Sequence, residues 1–275
     1  MIRMELPFVK LHGNGNDFIL IDEFNETKIP DEMKPQFSSL YCDRKFGIGG
    51  DGVLFLSRDG GKICMRLFQP DESEAEMCGN GIRCLTKYAF DSHYIGEKTT
   101  IHTLAGPVDV KAEYDEEGDF YAEVEMTDPI FDSSSIPAVG DGEFHEIISG
   151  YDVYAVNTGV PHAIVFIRDL DMIDVTTTAP AIRFSNFFPA GSNVNFVQIT
   201  GDDEIRVRTY ERGVEDETYS CGTGATASAV MAHRLKKTGP VVTVETQGGP
   251  LVITIKDKVL MKGPAVTVFT GSLPL

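Results

Sequence analysis

Apolar and polar residues alternate with a period of two along most of this chain, in short runs broken by Gly, Asp, Asn and Pro. That period puts one side of a strand in a core and the other toward water. Residues 19–22, 52–56, 99–103, 108–114, 120–126, 151–156, 163–167, 194–198, 241–246, 251–255, 259–262 and 266–270 therefore read as strands. Two stretches break the pattern. Residues 82–90 and 225–235, the second rich in Ala, Met and Leu with very few breakers, read as helices. A further helix is expected over 34–46, with Pro35 tolerated in its first turn and Gly47 ending it, and a shorter one over 179–184. Residues 132–150 read as loop. Many strands and a few helices make a mixed α/β chain.

One block of this pattern occurs twice. A strand (52–56), the turn Asp59-Gly60-Gly61, a second strand and an acidic loop lead into Cys78-Gly79-Asn80-Gly81 and a helix. A strand (194–198), the turn Gly201-Asp202-Asp203, a second strand and an acidic loop lead into Cys221-Gly222-Thr223-Gly224 and a helix. The repeat predicts a duplicated α/β domain whose halves face each other and present two thiols to one ligand. The expected boundaries are 1–127 and 128–265, with Asp128-Pro129 as crossover and the last strand, 266–275, returning to the first half.

A cysteine at a helix start meets unpaired N–H groups and the positive end of the helix dipole, which lower a thiol pKa from its usual value of about 8.5. The glycines let a ligand approach the backbone, whose N–H groups suit a carboxylate. Two acid/base groups on opposite faces of one carbon remove a proton from one side and return another from the other side. They invert a stereocentre without a cofactor. The carbanion formed on the way needs electrostatic help, which two helix N-termini can give.

Other candidates keep two readings. Asn16, in the Gly/Asn-rich stretch 12–18, either belongs to a tight turn or offers its amide to a ligand. His162, placed by the pattern in a Gly/Pro loop at the mouth of a strand, is either a structural histidine or part of a site. Cys42, Cys64 and Cys84 lie in apolar segments and read as core packing. The stretch from Gly47 to Gly52 matches G-x-G-x-x-G, but it follows a helix and opens a strand, the reverse of a dinucleotide site. No C-x₂-C pair occurs, so no metal site is expected.

Size and charge narrow the picture further. At 275 residues the chain makes one large domain or two ordinary ones. A formal charge of −18 argues against a nucleic-acid partner, and any anionic substrate must be held by local donors against that field. No apolar run approaches the ~20 residues of a membrane span. The first seven residues lack the apolar core of a signal peptide. Five cysteines, an odd number, are then expected as reduced thiols in the cytoplasm.

Residues 10–18, Met77 to Arg83, Gly159-x-Pro161-His162, and Glu211-Arg212-Gly213 with Cys221-Gly222-Thr223-Gly224-Ala225 resemble the diaminopimelate epimerase family, in its order and over nearly the whole chain. The resemblance implies a pyridoxal-phosphate-independent isomerase that interconverts LL- and meso-2,6-diaminopimelate in lysine biosynthesis. It implies two pseudo-symmetric domains, each a mostly antiparallel sheet or barrel wrapped around a central helix, and a homodimer. Carried over by motif, Cys78 and Cys221 are the catalytic pair, supported by His162 and Glu211. Asn16, Gln69, Gly79, Asn80, Asn193, Glu211, Arg212, Gly222 and Thr223 would bind substrate; no cofactor is implied. The chain departs from the family where Gln69-Pro70-Asp71-Glu72-Ser73 replaces Asn-x-Asp-Gly-Ser, where Val160 precedes Pro161-His162, and at Gly52. It also carries one extra residue between Glu211 and Cys221. The nearest rival is an epimerase of the same superfamily acting on proline or histidine. From another class, Cys221 could be a hydrolytic nucleophile with His162 as base, but Cys78 would then have no purpose.

Overall fold

The first hairpin shows how tightly the chain turns. Strand β1 (Glu5–Gly13) pairs antiparallel with β2 (Asn16–Glu23), Gly13 lying opposite Asn16. Only Asn14 and Gly15 form the turn, at φ 52° and 82°. Two residues with positive φ match the right-handed strand twist, which is why Asn-Gly serves here. Asn16 is therefore the first residue of a strand, not part of a loop.

A computed structural model describes residues 5–274. Residues 1–4, within the N-terminal segment read above, and Leu275, the end of the expected last strand, lie outside the described residues. The chain divides into two units, Met1–Val124 with Gly263–Leu275, and Glu125–Lys262.

In the first unit α1 (Lys34–Cys42), β3 (Gly52–Asp59), β4 (Lys62–Phe68), β5 (Glu74–Ala75), α2 (Gly79–Asp91), β6 (Lys98–Thr103), β7 (Gly106–Tyr114) and β8 (Phe120–Glu125) follow the hairpin. β2 and β3 pair parallel, β3 pairs antiparallel with β4, and β4 pairs with both β5 and β6 before β6, β7 and β8 continue as a meander. Phe37 of α1 packs with Ile19, Ile21, Phe55 and Phe68 in one apolar cluster. Helix α2 is buried through its first two turns, where Ile82, Cys84 and Leu85 have no exposure. Truncating Leu85 there would cost about 2–5 kcal/mol.

The second unit holds β9 (His145–Ile148), β10 (Tyr151–Asn157), β11 (Pro161–Phe166), α3 (Val175–Arg183), β12 (Asn193–Gly201), β13 (Glu204–Glu211), β14 (Asp216–Thr218), α4 (Gly222–Arg234), β15 (Val241–Thr246), β16 (Gly249–Ile255) and β17 (Val259–Pro264). β10–β11 pair antiparallel, β11–β12 parallel, β12–β13 and β13–β14 antiparallel, β13–β15 parallel, and β15, β16 and β17 as a meander. This is the pairing order of β1 to β8 again. Even an ion pair recurs: Arg66 Nε holds Glu74 Oε1 at 2.7 Å, and Arg208 Nε holds Glu217 Oε1 at 2.6 Å. α4 is buried on nearly every face because its residues are small, from Gly222 and Gly224 through Ala225, Ala227, Ala229 and Ala232. The final strand, β18 (Val266–Pro274), pairs antiparallel with β1.

Several expectations change. α1 stops at Cys42, because the Asp43 carboxylate accepts the N–H groups of Lys45 and Phe46 and bends the chain into a turn. α3 starts at Val175, four residues before its expected start. Its three threonines hid it, but Asp174 caps it by accepting the Thr177 N–H at 3.1 Å. Residues 132–150 include the short strand β9. Cys42 and Cys84 are core residues, whereas Cys64 is half-exposed, since its position on β4 falls on the outward side of the alternation. His162 is the second residue of β11, inside the strand and fully buried. Among the described residues no helix is long and apolar enough to cross a membrane.

Candidate active site

Each unit builds half of the candidate chemistry on the same frame. In the first, Cys78 is extended at φ −143°, ψ 118° and caps α2, its Sγ accepting the Gly81 N–H at 3.4 Å. Gly79 and Asn80 form the first turn behind it. Asn16 Oδ1 faces the sulfur at 3.7 Å and accepts Asn80 Nδ2 at 3.2 Å. The direction of the Asn16 amide is fixed, because its Nδ2 donates to Asp51 Oδ2 at 2.6 Å and a carboxylate only accepts.

Behind this group lies Arg83, with no exposure. Its guanidinium donates to Asn14 Oδ1 at 2.6 Å, Asn80 Oδ1 at 3.0 Å, Gly79 O at 3.1 Å and Pro264 O at 3.2 Å. Burial pulls its pKa down to about 10, so it remains a cation at neutral pH and pins the first turn of α2 from beneath. Burial pushes Cys84, one residue on, up to about 12, which keeps it an inert thiol. Burial also raises Asp17, but Arg44 and Lys10 outweigh that and hold its carboxyl well below the usual range. Gln69 stands on the exposed loop after β4 and accepts the Ser73 hydroxyl at 3.0 Å.

In the second unit Cys221 caps α4 at φ −118°, ψ 112°, with Gly222 and Thr223 opening the helix. Cys221 Sγ lies 3.4 Å from Thr223 Oγ1, and Thr223 Oγ1 lies 3.0 Å from His162 Nε2. The Thr223 carbonyl accepts the Thr158 hydroxyl at 3.0 Å. His162 Nδ1 meets Asn195 Nδ2 at 3.0 Å, and Thr209 Oγ1 donates to Asn195 Oδ1 at 2.9 Å. Burial, aided by the Arg212 charge, lowers His162 to about 3, so the ring is neutral. Asn193 opens β12; its Oδ1 accepts the Arg212 N–H at 2.7 Å and its Nδ2 donates to Pro161 O at 3.3 Å. Arg212 Nη1 reaches Ala190 O at 3.2 Å. Glu211, half-buried, ends β13.

The structure thus joins Asn16, Asn80 and Cys78 in one unit, and His162, Thr223 and Cys221, with Asn193 beside Arg212, in the other. His162 bonds to Thr223 rather than to the sulfur, which leaves a direct Cys221–His162 dyad without support. Sequence reading missed Asp51, Arg83, Asn195 and Thr209 as members of these networks. A signal existed for one of them: Asn193 and Asn195 alternate with Val194 and Phe196 at the start of a strand, an unusual polar pair beside core residues.

Residues 8–131 and 154–268 match the profile of the family described as Diaminopimelate epimerase. The chain is 55% identical to the diaminopimelate epimerase of Methanothrix thermoacetophila, over 97% of this chain and 95% of that one. It is 46% identical to that of Archaeoglobus fulgidus, over 99% and 98%. In fold it is similar to a phenazine biosynthesis protein of the PhzF family from Bacillus anthracis, with a TM-score of 0.74 at 14% identity over 99% of this chain and 100% of that one. A hydroxyproline epimerase from Agrobacterium vitis follows at TM-score 0.67 and 18% identity, over 100% and 93%. The fold is a mixed α/β, mostly sheet, of the kind those two structures share. With two cysteine-capped helices in matched frames and full-length relatives under one family name, this chain belongs to the diaminopimelate epimerase family.

Proposed function

We propose that this protein is an isomerase that interconverts LL- and meso-2,6-diaminopimelate, serving lysine biosynthesis, with Cys78 and Cys221 as its proton carriers and no pyridoxal phosphate. The observation that carries the proposal is the pair of cysteines, each capping a buried helix in the same strand context, in a chain of this family. One thiolate takes the α-proton as that C–H bond breaks. The other thiol gives its proton to the opposite face as a new C–H bond forms. No oxidation occurs, and the two sulfurs have exchanged roles at the end.

The intermediate carries negative charge into the α-carboxylate. The N–H groups at Gly79 and Asn80 and at Gly222 and Thr223 are donors suited to it. Asn16 and Gln69 supply amides. Arg212 is the partner for the distal carboxylate, because a guanidinium binds a carboxylate through two N–H groups at once. Asn193 carries the Arg212 backbone and so sets where that side chain begins; Glu211 completes the pocket. His162, neutral and buried, positions Thr223 and exchanges no proton with substrate.

The matched pairing orders support a duplicated, pseudo-symmetric pair of domains, each wrapping its sheet around a central helix. A cytoplasmic homodimer without nucleic-acid or membrane partners fits the acidic composition. The test is α-proton exchange in D₂O, followed by NMR, with diaminopimelate, lysine, proline and histidine as substrates. Exchange on diaminopimelate with inversion is the expected result. Preferential turnover of proline or histidine would keep the two-thiol chemistry but overturn the substrate; no exchange on any of them would overturn the enzyme.

A further inference from the structure

We propose that Asn195 is a positioning residue that fixes the tautomer of His162 and, through Thr223, makes Cys221 the thiolate of the resting pair. This rests on the reading of Cys221 as a proton carrier. The direction of the hydrogen bonds as far as Thr223 follows from the far end of the chain. Asn195 Nδ2 lies 3.3 Å from Ala163 O, and its Oδ1 accepts the Thr209 hydroxyl at 2.9 Å. A carbonyl oxygen cannot donate, so the amide nitrogen must face Ala163 and cannot be exchanged with the oxygen. The same nitrogen donates to His162 Nδ1 at 3.0 Å, which leaves Nδ1 without a proton. In a neutral ring the proton then sits on Nε2, which donates to Thr223 Oγ1. The Thr223 oxygen thus accepts from the ring, and we assign the hydroxyl proton, which that bond leaves unused, to Cys221 Sγ at 3.4 Å. A donor facing sulfur favours the thiolate.

The other cysteine has a different side-chain neighbour. Its Sγ accepts the Gly81 N–H at 3.4 Å, but Asp51 turns Asn16 so that a carbonyl oxygen also meets the sulfur, and a carbonyl favours a thiol that can donate to it. The two side-chain networks therefore bias the pair toward one thiol and one thiolate, the combination the reaction needs.

The repeat supplies an independent observation. Phe18 lies opposite Gly52 in the parallel β2–β3 pair, and His162 lies opposite Asn193 in the parallel β11–β12 pair. Leu54 lies opposite Leu67, and Asn195 lies opposite Thr209. Positions that hold Phe18, Leu54 and Leu67 in the first unit thus hold His162, Asn195 and Thr209 in the second, and all six are buried. An apolar trio is the cheaper way to fill such a core, since buried polar groups cost free energy unless every one is bonded. The polar trio occurs only beside Cys221.

The test reads the chain directly. ¹⁵N NMR of histidine-labelled protein at pH 7 should show His162 with a bare Nδ1 and a protonated Nε2; the opposite tautomer would overturn the proposal. Alkylation by iodoacetamide across pH, mapped by mass spectrometry, should place the Cys221 profile below that of Cys78. In Asn195→Leu, Cys221 labelling at neutral pH should fall about tenfold, the value of one hydrogen bond to a charged group, while Cys78 is unchanged. A folded Asn195→Leu with an unaltered Cys221 profile overturns it. Should that variant not fold, Thr223→Val against Thr223→Ser makes the same comparison, with loss expected in the first and retention in the second. None of these measurements needs turnover, so failure of the epimerase reading would be seen separately in the exchange assay.

Discussion

A Cβ placed on Gly224 would stand 2.4 Å from Asn195 Oδ1. That oxygen cannot retreat, because the Asn195 amide is held by Thr209, Ala163 and His162. The fourth residue of the Cys-Gly-Thr-Gly motif is therefore glycine to make room for a buried side chain, as well as for any ligand. Its counterpart Gly81 is less constrained, with Leu54 Cδ2 at 3.2 Å as the nearest atom. Gly224→Ala is expected to destabilise by about 1–3 kcal/mol and to impair the reaction, and Gly81→Ala to do less of both. Thermal melts and kcat of the two variants check the order.

Cys78→Ala and Cys221→Ala are each expected to lower epimerisation by at least about 10²–10⁴-fold, the usual worth of a positioned acid or base. Each variant should still wash deuterium into one stereoisomer only, the one whose proton faces the surviving sulfur. Two-way epimerisation by either would remove the two-base mechanism.

The depressed His162 pKa links stability to acid. The ring is neutral in the fold down to about pH 3, whereas in the unfolded chain it takes up a proton near its ordinary value of 6.5. The unfolded state thus binds the extra proton between those values. Stability is whole above pH 6.5 and falls by about 1.4 kcal/mol per pH unit below it. Urea unfolding at pH 7 and pH 5 should show a loss in the wild type that is smaller by about 2 kcal/mol in His162→Gln. Equal losses in both proteins would mean that the ring is not held neutral.

Glu72 adopts φ 70°, a left-handed conformation in the loop before Cys78, at the position where the family pattern has Gly. A side chain there costs about 1–2 kcal/mol, part of which glycine gives back as chain entropy. Glu72→Gly should raise stability by about 0.5–1 kcal/mol, visible as a higher Tm.

Much of this was legible in the sequence because it rests on local rules. Alternation located the strands, and breaker-poor runs located α2 and α4. The double Cys-Gly motif located both helix caps, since N-terminal N–H groups follow from any helix start. What stayed hidden depends on pairing register. Asn195 reads as one of several polar residues in its strand until β11 and β13 place His162 and Thr209 against it. Asp51 sits in a Gly-rich turn whose one motif match, G-x-G-x-x-G, has the wrong element order for a dinucleotide site and so drew no role for it. His162 was placed in a loop because Gly159 and Pro161 flank it, yet Pro161 begins the strand, the one place in β11 where its missing N–H costs nothing. α3 was shortened by β-branched threonines that weaken helix propensity, which the Asp174 cap and burial of Val175 and Ile182 override.

The pairing of β18 with β1 bears on how the protein is made. Ser272 Oγ donates to Glu5 Oε2 across 267 positions of chain, so β1, already paired with β2 on one side, finds its second neighbour only after residues 266–274 have been made. Glu125–Lys262, by contrast, is one uninterrupted segment and is complete while that neighbour is still unmade. The second unit is thus free to fold during synthesis. The first must hold an open strand edge until the end, and an open edge is where chains pair with the wrong partner. A ribosome stalled before residue 266 should carry a protease-resistant second unit and a first unit in which β1 is still cut.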